Sequence, residues 1–117
     1  MEVFRLSTKK WSKFLSGKGA AYKGARWNSP GTEIIYTSSN RSLAMAEVAV
    51  HFTLATLPVD YMMATIFIPD YVSIKVVQEK SLPKDWNTYP YGPSNQIFGD
   101  DFIIENVNCL LKIPSAV

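Results

Sequence analysis

At 117 residues the chain has room for one domain, and 47% hydrophobic with 13% aromatic residues exclude a disordered segment. A net charge of +2, scattered along the sequence, excludes a charged tail and gives no footprint for direct nucleic-acid binding. The single cysteine, Cys109, excludes an internal disulfide.

In chain order, residues 3–6 read as a short strand and residues 9–15 as a short helix or turn. Lys9, Lys10, Lys13, Lys18 and Lys23 make the nearest approach to a basic cluster, either a solvated face or an anion-attracting mouth. Residues 17–31 hold four of the six glycines and Pro30, the composition of a loop system. Residues 34–37, Ile-Ile-Tyr-Thr, are β-branched and aromatic and predict a second strand.

Ser38, Ser39 and Asn40 then offer helix N-caps. Leu43, Ala46, Val50, Leu54 and Leu57 follow at steps of three and four, which predicts an amphipathic helix that stops at Pro58. Residues 61–68 and 72–76 suit strands, residues 80–93 a loop, residues 95–104 a short helix or an irregular segment, and residues 108–113 a final strand ending at Pro114. Cys109, beside Leu110 and Leu111, reads as a buried strand thiol. Strands flanking one well-marked helix make the fold class α+β.

Glu47 is the residue least suited to a purely structural role. It is the only carboxylate from Leu43 to Val59 and falls on the apolar stripe itself, about 40° from Leu43 on a helical wheel. An isolated buried carboxylate is costly, so either the helix turns to leave Glu47 at its edge or the group lines a cleft and meets a developing positive charge. Arg26, inside Gly24-Ala25-Arg26-Trp27-Asn28, can bring a planar fork to a phosphate or carboxylate. Tyr36 offers a ring for packing or stacking. Ser115 alone would be an ordinary turn serine, and His51 an ordinary interior or edge histidine. With one His and one Cys, no metal site is expected.

Taken together, Val3-Phe4-Arg5-Leu6, the arginine motif Gly24-Ala25-Arg26-Trp27-Asn28 with Gly31, Ile35-Tyr36-Thr37-Ser38 followed by Ser42-Leu43-Ala44-Met45-Ala46-Glu47, and Pro114-Ser115-Ala116-Val117 resemble the RES domain over nearly the whole chain. That family is named for an Arg, a Glu and a Ser, which fall here on Arg26, Glu47 and Ser115. The resemblance implies an ADP-ribosyltransferase-like fold, small sheets around a central NAD⁺-binding cleft. It also implies a toxin that degrades NAD⁺ as substrate and is neutralised by an Xre-like antitoxin. Under it Glu47, Arg26 and Ser115 are the catalytic candidates, and Arg26, Tyr36 and Ser115 bind substrate. Glu47 stabilises the ribose cation, Arg26 holds the pyrophosphate or a ribose oxygen, Tyr36 packs on nicotinamide, and Ser115 bonds the ribose or carboxamide.

The opening residues lack a signal-peptide pattern and no apolar run reaches membrane-span length, so a cytoplasmic protein with no membrane partner is expected. Family members continue for some tens of residues beyond the serine motif, whereas Val117 lies two residues past Ser115. The expected organisation is therefore a single, shortened RES domain over residues 1–117, with homo-oligomerisation an open alternative. The rival readings are a protein ADP-ribosyltransferase and an inactive antitoxin-binding module.

Overall fold

The computed structural model describes residues 1–13, 15–50 and 59–117, organised as two compact units. Its secondary structure is α+β, with two small two-stranded sheets.

The first unit comprises Met1–Leu15, Tyr36–Asp70 and Val117. Its sheet pairs β1 (Glu2–Thr8) antiparallel with β2 (Tyr61–Phe67), in register from Glu2 opposite Phe67 to Thr8 opposite Tyr61. Main-chain bonds extend the ladder at both ends, from Ile68 N–H to the Met1 carbonyl at 2.7 Å and from Lys9 N–H to the Asp60 carbonyl at 2.8 Å. Successive strand residues point to opposite faces, and both Val3 and Phe4 are buried, so β1 is covered on each side. Helix α2 (Arg41–Ala49) packs on β1. Of the three candidate caps, Asn40 starts the helix: its side-chain oxygen accepts from Leu43 N–H at 2.8 Å.

Two expectations are corrected here. Residues 34–37 form no strand. The run leads to a single bridge among the described residues, where Ser38 and Phe4 exchange main-chain bonds of 2.8 Å, and β propensity without a continuous ladder does not make a strand. The buried position of α2 is Ala44, while Leu43 and Ala46 are half-buried and Val50, the C-cap, is exposed. His51, Leu54, Leu57 and the stop at Pro58 lie outside the described residues.

The second unit comprises Ser16–Ile35 and Tyr71–Ala116. A six-residue helix, α1 (Lys18–Lys23), sits inside the glycine-rich stretch that reads as loop. It buries no residue fully, so no apolar stripe marks it in the sequence. β3 (Ile74–Val76) pairs in parallel with β4 (Leu110–Lys112), and the crossover between them contains α3 (Pro93–Glu105). α3 starts with Pro at its first turn and ends at Asn106 in the left-handed conformation, φ 52°. It is the longest described helix, so the helix bearing Glu47 is not the only well-marked one. The core of this unit is formed by Trp27, Val77, Leu82, Trp86 and Phe102, with Asn28 and Asn95 wholly enclosed.

Cys109 is exposed, against expectation. It precedes β4, and it is tied down through its N–H, which donates to the carbonyl and hydroxyl of Ser73 at 3.1 and 3.2 Å.

Candidate functional site

The candidates divide between the units: Tyr36 and Glu47 belong to the first, Arg26 and Ser115 to the second. Glu47 is half-buried on α2. It follows Ala44 by three residues, which places it about 60° round the helix from the buried position. Tyr36 is half-buried just before the Ser38 bridge, and Ser115 is half-buried beyond β4.

Arg26 has the most developed surroundings. Its loop begins at Gly24, φ 75°, and turns again at Gly31, φ 92°, backbone conformations that favour glycine. Between them the Asn28 side chain, wholly buried, donates to the carbonyls of Ala20 at 3.0 Å, Thr32 at 2.9 Å and Ser29 at 3.4 Å. One side chain thus ties α1 to both arms of the loop.

Helix α3 fixes this loop through a polar face. Gln96 Nε2 donates to the carbonyls of Ala25 and Asn28 at 3.2 Å each. Asp100 Oδ1 accepts from Ser29 N–H at 2.9 Å. Gly99, on the same side of α3, lies directly against the Trp27 peptide, and the Trp27 ring meets Phe98 edge-on at 5.9 Å between centroids.

The Arg26 guanidinium, half-buried, reaches the chain segment before α3. Nη1 donates to the carbonyls of Trp86 and Thr88, each at 2.8 Å. Cζ lies 4.6 Å from the centre of the Tyr89 ring and 5.8 Å from that of Tyr91. Such cation–π contacts contribute about 0.5–1 kcal/mol each at exposed sites. Asn95 joins the same group: its Nδ2 donates to the Trp86 carbonyl at 2.6 Å, while its buried Oδ1 has no hydrogen-bond partner among the described residues. An orphaned buried acceptor costs about 1–3 kcal/mol.

Sequence reasoning found Arg26 but missed Asn28, Tyr89, Tyr91 and Asn95. A signal for the tyrosines was present in Tyr89-Pro90-Tyr91-Gly92-Pro93, two rings on a conformationally restricted run. A broad depression of about 540 Å³ near Trp86, lined by Glu79, Lys80, Leu82, Pro83 and Lys84, includes none of the four sequence candidates. No group of acidic, His and Cys side chains among the described residues could hold a metal ion.

The sequence profile of the RES domain matches residues 2–117. The chain belongs to the RES family. The Prs ADP-ribosylating toxin of Sphingobium is 36% identical over 105 residues, covering 88% of this RES chain and 65% of the toxin. The Toxin Res of Photorhabdus laumondii is 30% identical, covering 100% of this chain and 75% of that protein. The chain therefore spans about two thirds to three quarters of the length of these curated relatives. No described helix of this RES chain is long and apolar enough to cross a membrane.

Proposed function

We propose that this RES chain is a cytoplasmic toxin that cleaves the nicotinamide–ribose bond of NAD⁺ and is neutralised by an Xre-like antitoxin. The observation that carries the reading is the setting of Arg26. Its guanidinium is half-buried, and within its own unit it rests on two neutral carbonyls and two aromatic rings, none of them an anion. A cation held this way gains from a ligand that brings negative charge, as the pyrophosphate of NAD⁺ does.

In the proposed reaction the bond between ribose C1 and the pyridinium nitrogen breaks, and its electron pair neutralises the ring. Nicotinamide leaves uncharged, so no proton need be supplied to it. The ribose is left oxocarbenium-like, as in glycoside cleavage. The Glu47 carboxylate stabilises that charge, Tyr36 packs on the nicotinamide ring, and Ser115 hydrogen-bonds the ribose or carboxamide. Attack by water at C1, with loss of a proton, gives ADP-ribose; attack by phosphate gives its phosphorylated form. No step calls on a metal.

An ADP-ribosyltransferase-like fold with an NAD⁺-binding cleft belongs to the same proposal, supported by the α+β composition and small sheets. A second reading, transfer of ADP-ribose to a protein side chain, is favoured by the name of the Sphingobium relative, an ADP-ribosylating toxin.

The test is to incubate the purified protein with NAD⁺, with and without phosphate and candidate acceptor protein, and to identify products by mass spectrometry. Free ADP-ribose means hydrolysis, a phosphorylated ADP-ribose means phosphorolysis, and labelled protein means transfer. Unchanged NAD⁺ under all conditions rejects the reading.

A further inference from the structure

We propose that Asn95 is a positioning residue for Arg26, acting through the Trp86 carbonyl that the two side chains share. The inference rests on the proposed anion-binding role of Arg26 and extends it to a residue that neither the family motifs nor the sequence patterning singles out.

The geometry is specific. The Trp86 carbonyl oxygen accepts from Asn95 Nδ2 at 2.6 Å and from Arg26 Nη1 at 2.8 Å, which occupies both of its lone pairs. Nη1 also donates to the Thr88 carbonyl at 2.8 Å, so both of its hydrogens are engaged. Cζ lies over the Tyr89 ring at 4.6 Å from its centre, and the Tyr91 ring stands further off at 5.8 Å. What remains for a ligand is the edge formed by Nε and Nη2, the edge suited to gripping two oxygens of a phosphate or carboxylate. Its direction is set by the Trp86–Thr88 carbonyls, and Asn95 holds the first of these from inside the fold.

Stability alone would not choose asparagine here. The residue is completely buried, and the Oδ1 half of its amide meets no hydrogen-bond donor among the described residues. An apolar side chain of similar size would remove that deficit. Asparagine supplies one thing leucine cannot, a donor to the carbonyl on which Arg26 also rests. Asn95 begins the polar face of α3 that continues through Gln96 and Asp100, and all three hold the chain around Arg26. The face therefore joins the Arg26 loop to the 86–91 segment.

The experiment compares wild type, Asn95→Leu, Arg26→Ala and the double variant. Two readouts are used: ADP-ribose affinity by calorimetry, and NMR of arginine-selectively ¹⁵N-labelled protein. Asn95→Leu is expected to unfold at the wild-type temperature or above, yet to bind ADP-ribose roughly tenfold more weakly, the loss of about one hydrogen bond's worth of positioning. In the Arg26→Ala background the same change should have no further effect on binding. With Nη1 held by two carbonyls in wild type, the two Arg26 Nη nitrogens should give separate resonances that merge in Asn95→Leu as the guanidinium rotates freely. If Asn95→Leu does not fold, Asn95→Ala, which only removes atoms, carries the same comparison.

Equal affinity losses in both backgrounds, or unchanged affinity and unchanged Nη resonances in a folded Asn95 variant, overturn the proposal. If wild type binds no ADP-ribose but its Nη resonances still merge on substitution, positioning stands as a structural fact. The ligand reading is then what fails, and the proposed role of the positioning fails with it.

Discussion

Gly99 of α3 sits so close to Trp27 that a Cβ at that position would overlap the Trp27 carbonyl oxygen and crowd its carbonyl carbon. The obstacle is main chain, and it cannot swing aside as a flexible side chain could. In an open helix, alanine for glycine would gain about 1 kcal/mol from propensity. Here the clash is with main chain, so the overpacking cost belongs at the upper end of about 1–3 kcal/mol and leaves a net loss of about 1–2 kcal/mol after the propensity gain. Gly99→Ala is therefore expected to lower the melting temperature by roughly 5–10 °C, measured by calorimetry. An unchanged or raised midpoint would show that α3 and the Arg26 loop separate easily.

Asn28→Asp tests the other tie. The substitution keeps the shape but turns a donor facing three carbonyls into a carboxylate in a fully buried place. Leaving a charge uncompensated inside a fold costs about 3–5 kcal/mol. A loss of this size should appear in urea unfolding at pH 7 and shrink as the pH falls through the carboxylate range, because protonation removes the charge and restores a donor. A pH-independent loss would point to backbone disruption instead.

The parts of this fold that were legible in the sequence are those that repeat an apolar pattern. Residues 3–6, 61–68 and 108–113 contain or overlap β1, β2 and β4, whereas residues 95–104, which read as a short helix or an irregular segment, lie within α3. The pairing of β1 with β2 and of β3 with β4 was not legible, since register depends on partners far apart in the chain. The docking of α3 was hidden for a different reason. Its loop-facing side is made by Asn95, Gln96, Gly99 and Asp100, and hydrophobic periodicity cannot detect a face built from amides, a carboxylate and a glycine. Arg26 stood out because glycines flank it, but its carbonyl partners lie 60 and 62 residues further on. Glu47 was visible as a carboxylate among apolar neighbours, and its half-buried position on α2 suits the edge of a helix as well as the wall of a cleft.

Arg26→Lys is expected to behave as a substantial change. A lysine ammonium can donate to the Trp86 or Thr88 carbonyl, but it has no planar edge left to grip two ligand oxygens and stacks less well on Tyr89. ADP-ribose affinity should fall roughly tenfold or more, equivalent to about 1.4 kcal/mol. Thermal stability should fall by less, because Arg26 is held within its unit by a cation–π contact and two hydrogen bonds to neutral acceptors, part of which lysine can replace. Matching affinities for lysine and arginine forms in calorimetry would remove Arg26 from the ligand site.

Glu47→Gln separates a catalytic carboxylate from a structural one. The side chain lies on a helix whose start is fixed elsewhere, by the Asn40 cap, and whose one fully buried residue is Ala44. Glutamine has nearly the same volume and similar helix propensity, so the fold should persist, with a stability change within about 1 kcal/mol. What disappears is the negative charge proposed to face the ribose as nicotinamide departs. That charge matters most when the ribose becomes positive, so the loss should fall on kcat more than on KM. Removing one electrostatic group of this kind lowers turnover by ~10²–10³-fold. Single-turnover NAD⁺ cleavage by wild type and variant, alongside their melting curves, measures both quantities. A folded Glu47→Gln protein that consumes NAD⁺ at a near-normal rate would falsify the role given to this carboxylate. A variant that loses stability and activity together would instead place Glu47 among the groups that hold α2 against its unit.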